Sequence, residues 1–242
     1  MGQEIAGARK SNGLSILWDM VVAPATAFEA LRERPVWLWA FIVTSVLGAI
    51  GSLLIIPASE HVATMTFAQL VQTDPNVAGL SAERQKSMLA MTVGVQHYVW
   101  IFYPILVMVG VLISTLVMLI VNAIGKGDGN FRRLFAVAMN VGFVSFGISY
   151  LLIGFLAYLR GPDTFATQRE LLAVIPSLGW LVPSTALKLG TFLGAITPLS
   201  LWAMVLLATG MQKTANIKSA AAWTGAAVLL LVPALLGAAF AK

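Results

Sequence analysis

Three groups of residues in this chain have types and spacings that could do chemistry. Gly125-Lys126-Gly127-Asp128-Gly129-Asn130 carries the glycines and the lysine of a phosphate-cradling loop. A P-loop also needs a glycine five residues before the glycine of its Gly-Lys pair, and a Ser or Thr after the lysine. Ile120 and Gly127 stand at those places. The spacing fails as a calcium loop too, because Asn130 is followed by Phe131 and not by a further ligand with its glycine. Three glycines and an Asn read instead as a tight turn. Glu60, His61 and His97 are metal-ligand types, but they stand at opposite ends of one segment with no controlled spacing. Ser184 and Lys188 are one helical turn apart, as a nucleophile and its base would be. No oxyanion-hole feature accompanies them, so they read as a helix cap and a lysine snorkelling toward the headgroups. No catalytic residue, cofactor or metal site is predicted.

The elements that must carry these residues are membrane spans. Five stretches, 35–56, 99–124, 134–158, 189–211 and 220–241, contain no Lys, Arg, Asp, Glu or His. Each is about as long as the roughly 20 residues that a helix needs to cross the hydrocarbon core. The chain has 242 residues, of which 59% are hydrophobic and 10% charged. A soluble domain of that length needs a far larger polar surface. The predicted fold is therefore all-α: a polytopic five-helix transmembrane bundle with short interfacial helices. Residues 1–34 form an N-terminal tail and interfacial amphipathic helix, and 35–242 form the membrane domain. Residues 1–13 are polar and Gly-rich and read as a frayed tail. The first apolar run, 14–22, is short, broken by Asp19 and followed by Pro24, so no cleavable signal peptide is expected. There is no Cys, which excludes disulfides and thiolate metal sites.

Charge gives the orientation. With the N-terminus in the cytosol, the inner segments 1–34, 125–133 and 212–219 hold Arg9, Lys10, Arg32, Arg34, Lys126, Arg132, Arg133, Lys213 and Lys218. That is nine of the 15 basic residues, and the positive-inside rule then places the N-terminus in the cytosol and the C-terminus outside. The net charge of +5 is spread over loops without interleaved aromatics. It suits anionic lipid headgroups and not nucleic acid.

From 14 to 34 the chain is amphipathic. Trp18, Val21, Val22, Phe28 and Leu31 fit the headgroup boundary, while Glu29, Arg32, Glu33 and Arg34 face water. Pro24 suits the first turn of a short helix, and Pro35 ends that helix and opens span one. The segment 57–98 reads as a long outer connection with helix starts at Asp74-Pro75 and Ser81. The segment 159–188 reads as a second outer connection, with Asp163 or Thr164 capping a short helix. Pro104, Pro198 and Pro233 are expected to kink spans two, four and five. The pairs Gly48/Ser52, Ser145/Ser149 and Gly190/Gly194 permit close helix contacts, within the bundle or across a homodimer seam. Asn122 and Asn140 are amides inside spans and need partners there: each other, or the 125–133 turn.

Two stretches carry a resemblance. Pro24-Ala25-Thr26-Ala27-Phe28-Glu29-Ala30-Leu31-Arg32-Glu33-Arg34-Pro35 has a Pro, a Phe four residues on, and a short helix ending at a Pro before span one. Gly125-Lys126-Gly127-Asp128-Gly129-Asn130-Phe131-Arg132-Arg133-Leu134-Phe135-Ala136-Val137 is similar to a Gly-Lys-Gly-Ser-Phe-(Lys/Arg) turn that opens span three, lengthened here by Asp128-Gly129-Asn130. Both resemble the YIP-domain family, membrane proteins named in eukaryotes for interacting with Rab-type GTPases. The resemblance implies five spans with a cytosolic N-terminus. Eukaryotic members carry a longer hydrophilic N-terminal region than the 1–34 segment here, which weakens the carry-over of GTPase binding. A prokaryotic member in the plasma (inner) membrane is implied.

The residues expected to make interactions are Pro24, Phe28, Leu31, Pro35, Gly125, Lys126, Gly127, Phe131, Arg132 and Arg133, with Asn122 and Asn140 as intramembrane polar contacts. In this reading the glycines turn the chain, Phe131 anchors the turn in the bundle, and Arg132 and Arg133 stay near phosphates or an acidic partner. The function expected is that of a non-enzymatic membrane protein that organises membrane or recruits partners, with the bilayer and a membrane protein or second copy as partners. The alternative is a small-solute or lipid transporter, or a scramblase, using the Pro-kinked spans. An intramembrane enzyme lacks any catalytic group in the spans.

Overall fold

The computed structural model describes residues 12–183 and 185–241. Of the tail predicted at 1–13, residues 1–11 lie outside the described residues, as does the predicted cap Ser184, while Asn12 and Gly13 belong to the cap and first turn of a helix and not to a frayed tail. The described residues form helices and no strand, so the all-α reading is borne out.

Two short helices come first. α1 (Gly13–Val22) is capped by Asn12, whose side chain accepts from the Ser15 N–H. α2 (Pro24–Glu33) has Pro24 in its first turn, where a missing N–H costs nothing. The two are separate helices because Ala23 leaves helical geometry, at φ −147°. Their apolar residues divide between two environments. Ile16, Leu17, Met20, Ala27, Phe28 and Leu31 are buried in the protein, whereas Leu14, Trp18, Val21 and Val22 remain exposed. Trp18, Val21 and Val22 are left on the outer surface of the protein, while Phe28 and Leu31 are buried within the bundle.

Span one is longer than its charge-free stretch. α3 runs without interruption over Leu38–Thr73, which is about 54 Å at 1.5 Å per residue. The hydrocarbon core is about 30 Å thick, so α3 projects several turns beyond it. Pro57 lies inside this helix. The expected connection at 57–98 is therefore a helical extension that folds back through α4 (Pro75–Ala78) and α5 (Ala82–Gln96) onto α3. Asp74 and Ser81 cap α4 and α5, at the expected starts. A two-residue turn at His97 and Tyr98 separates α5 from span two, α6 (Val99–Ile124).

Span three is one apolar column, Phe131–Arg160, built from α7 (Phe131–Gly142), a π-helical segment (Phe143–Ile148) and α8 (Ser149–Arg160). Every residue from 134 to 142 is buried, which makes α7 the centre of the bundle. α8 lies against α3 where two glycines meet. A Cβ on Gly154 would fall 2.2 Å from the Gly51 carbonyl oxygen. Beyond α8, Gly161 turns at φ +91°. The following helix, α9 (Gln168–Leu172), is capped by Thr167. Asp163 and Thr164 form a single tighter turn instead of the expected cap.

Span four departs most from expectation. It is two helices, α10 (Leu187–Gly194) and α11 (Pro198–Ala215), bent by 53°. Pro198 does not kink a continuous helix. It opens a new one, behind Thr197 and Ser200, which satisfy each other's backbone N–H groups in a capping box. Among the described residues there are thus four helices long and apolar enough to span a membrane, and five spans when the bent pair counts as one. α12 (Ser219–Phe240) is the last, with Pro233 inside it, as Pro104 is inside α6.

Candidate functional site

The basic segments gather at one end of the bundle, here called the basic end. α2 docks there through Phe28 and Leu31, both fully buried. Phe28 lies over α11 at Gly210, where a Cβ would fall 2.8 Å from its ring and 2.6 Å from Val137. The glycine is the notch that admits the ring.

Polar contacts then tie α2 to two turns far away in sequence. Arg32 donates to the Asn216 side-chain oxygen at 2.8 Å and reaches Asp128 Oδ2 at 3.3 Å. Asn216 donates to the same Asp128 oxygen at 2.7 Å, and the Asp128 N–H donates to the Ala215 carbonyl at 2.9 Å. Asn216 ends α11 in the left-handed region, at φ 49°, which Asn tolerates better than most side chains. Lys213 Nζ pairs with Glu29 Oε1 at 3.1 Å. These side chains are partly exposed, and such pairs contribute about 0.2–1 kcal/mol each. Burying Phe28 contributes about 1.5–3 kcal/mol. Apolar burial therefore docks α2, and the polar network sets its register against the turns. Nothing in the spacing of Asp128, Lys213 and Asn216 announces this network; their turn positions are the one signal present.

The turn at 125–133 is built differently from its sequence reading. The residue with positive φ is Lys126, at 52°, and not a glycine. Gly127 and Gly129 are needed for space: added Cβ atoms would fall 2.3 Å from Asn122 Oδ1 and 2.5 Å from Ala215 Cβ. Asn122 holds the turn, donating to the Gly129 carbonyl and accepting from the Gly129 N–H, both at 3.0 Å. Asn140 does not meet Asn122. It donates to the Val36 carbonyl at 2.9 Å and to Ala136 at 2.8 Å, so it secures the non-helical entry to α3 near Pro35. Phe131 is not anchored in the bundle. It remains 48% exposed and stacks on Phe135.

A cleft of about 550 Å³ opens beside this turn, lined by Arg34, Pro35, Trp37, Trp39 and Arg132, with the start of α1 closing one side. It brings together Arg34 and Arg132, not the adjacent pair Arg132 and Arg133. The other sequence candidates lie away from it. Glu60 and His97 approach to 2.6 Å at the far end, while His61 turns to Asp163 at 3.5 Å. Among the described residues no three His, Cys, Asp or Glu side chains are grouped to hold a metal ion. Lys188 is exposed at the start of α10.

A polytopic helical bundle with this entry helix and this turn defines an integral membrane protein. The Yip1-domain profile matches residues 18–241, and the chain belongs to that family. It is similar to the membrane protein YknW of Bacillus subtilis (strain 168), with 25% identity over 215 residues, covering 88% of this chain and 84% of the relative. No solved structure matches it.

Proposed function

We propose that this chain is a non-enzymatic membrane-organising protein whose basic end lies in the cytosol and gathers anionic phospholipid. The observation that supports this reading is the cleft in which Arg34 and Arg132, separated in sequence by spans one and two, join Trp37 and Trp39. Guanidinium groups match phosphate with paired N–H donors. Tryptophan settles at headgroup depth. Lys126, Arg133 and Lys218 surround the same end, and each basic residue near a membrane adds about 1 kcal/mol toward anionic lipid. The Arg32–Asp128–Asn216 network holds the surrounding turns in place, so the charges stand at fixed positions.

The test is co-purified lipid from the protein reconstituted in mixed phosphatidylglycerol and phosphatidylcholine bilayers. Phosphatidylglycerol is expected to be enriched around the protein, and Arg34→Gln with Arg132→Gln to cut that enrichment at least threefold. Lys188→Gln, at the other end, should leave it unchanged. Enrichment that survives the double substitution overturns the reading. Loss of crosslinks to an acidic protein in native membranes, with lipid enrichment intact, would assign the same arginines to partner recruitment instead.

A further inference from the structure

A second cavity, of about 610 Å³, lies inside the bundle, away from the basic end. Its size falls within the roughly 300–1,000 Å³ typical of small-molecule sites. Two irregularities of the backbone create it. α11 starts only at Pro198, so the column of span four is missing where α10 bends away. The π-helical segment widens span three opposite that gap, and Ser145 and Phe146 from it line the wall. α6 and α12 pack tightly nearer the basic end, where a Cβ on Gly225 would fall 2.7 Å from Val121. Farther along they part. Ile113 on α6 and Pro233 and Gly237 on α12 line the cavity and are themselves exposed on the outside of the bundle. Ile113 and Pro233 lie near the middle of their spans, so the mouth opens into hydrocarbon and not into water.

The wall chemistry narrows the occupant. No charged residue lines the cavity. Its serine hydroxyls are taken up by nearby backbone carbonyls: Ser114 donates to Gly110, Ser145 to Val141, Ser149 to Val144, and Ser200 to Ala195 in the break before α11. A water cluster needs two to four polar partners per molecule, and a phosphate or carboxylate needs donors. An alkyl chain needs neither, and it restores the dispersion contacts that an empty wall loses.

The geometry points to a lipid site: one acyl chain of a bilayer phospholipid enters sideways between α6 and α12 and lies against the π-helical segment and the start of α11. Its headgroup stays at the interface. The site shares no residue with the basic cleft, and either can fail without the other.

The test uses the full chain in phosphatidylcholine vesicles that contain a phospholipid with a photoactivatable diazirine at mid-chain. Labelled residues are mapped by mass spectrometry. Labelling is expected to concentrate on residues 142–149 and on Met204 and Leu207, at least fivefold above Leu116, which faces outward on α6. A diazirine on the headgroup should not label that wall. Ala234→Phe fills the cavity, and Gly237→Phe narrows its mouth, where the nearest atom to an added Cβ is Thr191 Cγ2 at 3.8 Å. Either should lower wall labelling at least fivefold, and the second variant serves if the first does not fold. Even labelling around the perimeter, or labelling unchanged in folded variants, overturns the site. The chain has no Cys, so Ser145→Cys gives a clean check. Reaction with a membrane-impermeant thiol reagent as fast as that of Lys188→Cys would show a water-filled cavity and also overturn the proposal.

Discussion

At the residue scale, the most informative contact is Phe28 against Gly210. Ring and notch stand 182 positions apart in sequence, and neither is interpretable alone. Phe28→Ala is expected to cost about 3–5 kcal/mol, as removal of a buried aromatic does. Gly210→Ala should cost about 1–3 kcal/mol through overpacking against Phe28 and Val137. Because the two residues touch, the double variant is expected to be more stable than the sum of the singles implies. Thermal unfolding in one detergent would measure this cycle, and strict additivity would refute the notch. Phe28, Leu31 and Pro24 were legible in the sequence as one face of a short helix with proline in its first turn. Gly210 was not. A glycine inside an apolar span has many uses, and only the facing side chain decides among them.

At the element scale, span four and span three show how backbone breaks are encoded. Pro198 in an apolar run signals either a kink or a start, since both remove the same N–H. Thr197 and Ser200 decide for a start, because their side chains satisfy the N–H groups that a broken helix leaves open within the membrane. Thr197→Val keeps the shape and removes the acceptor for the Ser200 N–H. It should destabilise the protein by about 0.5–2 kcal/mol. It should also speed amide exchange at 198–201 relative to the rest of α11, as read by hydrogen–deuterium exchange. Unchanged exchange there would mean that the cap does not hold the break. The π-helical segment carries no comparable sequence mark. Its irregularity is met from outside, where the Tyr103 hydroxyl donates to the Phe146 carbonyl at 2.8 Å. The small-residue pairs behave similarly. Gly48 accommodates the Tyr103 ring and Gly190 accommodates Arg169, so both serve contacts within the chain.

At the scale of the whole molecule, the bundle has two unlike ends. One carries the short N-terminal helices, the 125–133 turn and the α11–α12 turn, with most of the basic residues. The other carries the helical extension of α3 and α5, where Glu60, His61, His97 and Asp163 form contacts between segments. Reporter domains fused after Lys126 and after Arg169 are expected to lie on opposite sides of the membrane, with the Lys126 fusion cytosolic. Both fusions on one side would refute the arrangement of spans two and three. Inversion of the pair would refute the orientation and with it the cytosolic placement of the arginine cleft.

What the sequence by itself determined is the class of structure. Charge-free runs of spanning length admit one solution in a bilayer, because every backbone N–H and C=O must be paired within the segment. The family motifs 24–35 and 125–133 were readable for the same reason that turns often are: proline, glycine and asparagine restrict the backbone locally. Tertiary structure alone decided which polar groups meet. Asn122 met the 125–133 turn, one of the two partners its position allowed, through Gly129 only seven residues on, whereas the Val36 carbonyl became the partner of Asn140 only when α7 packed against the entry to α3. Arg132 was brought beside Arg34, and not grouped with its neighbour Arg133, by the packing of α2 and the entry to α3 beside α7. The inner cavity likewise belongs to no segment. It is the volume left where a broken helix, a π-helical turn and two diverging spans fail to fill the same place, and a gap between elements has no sequence of its own.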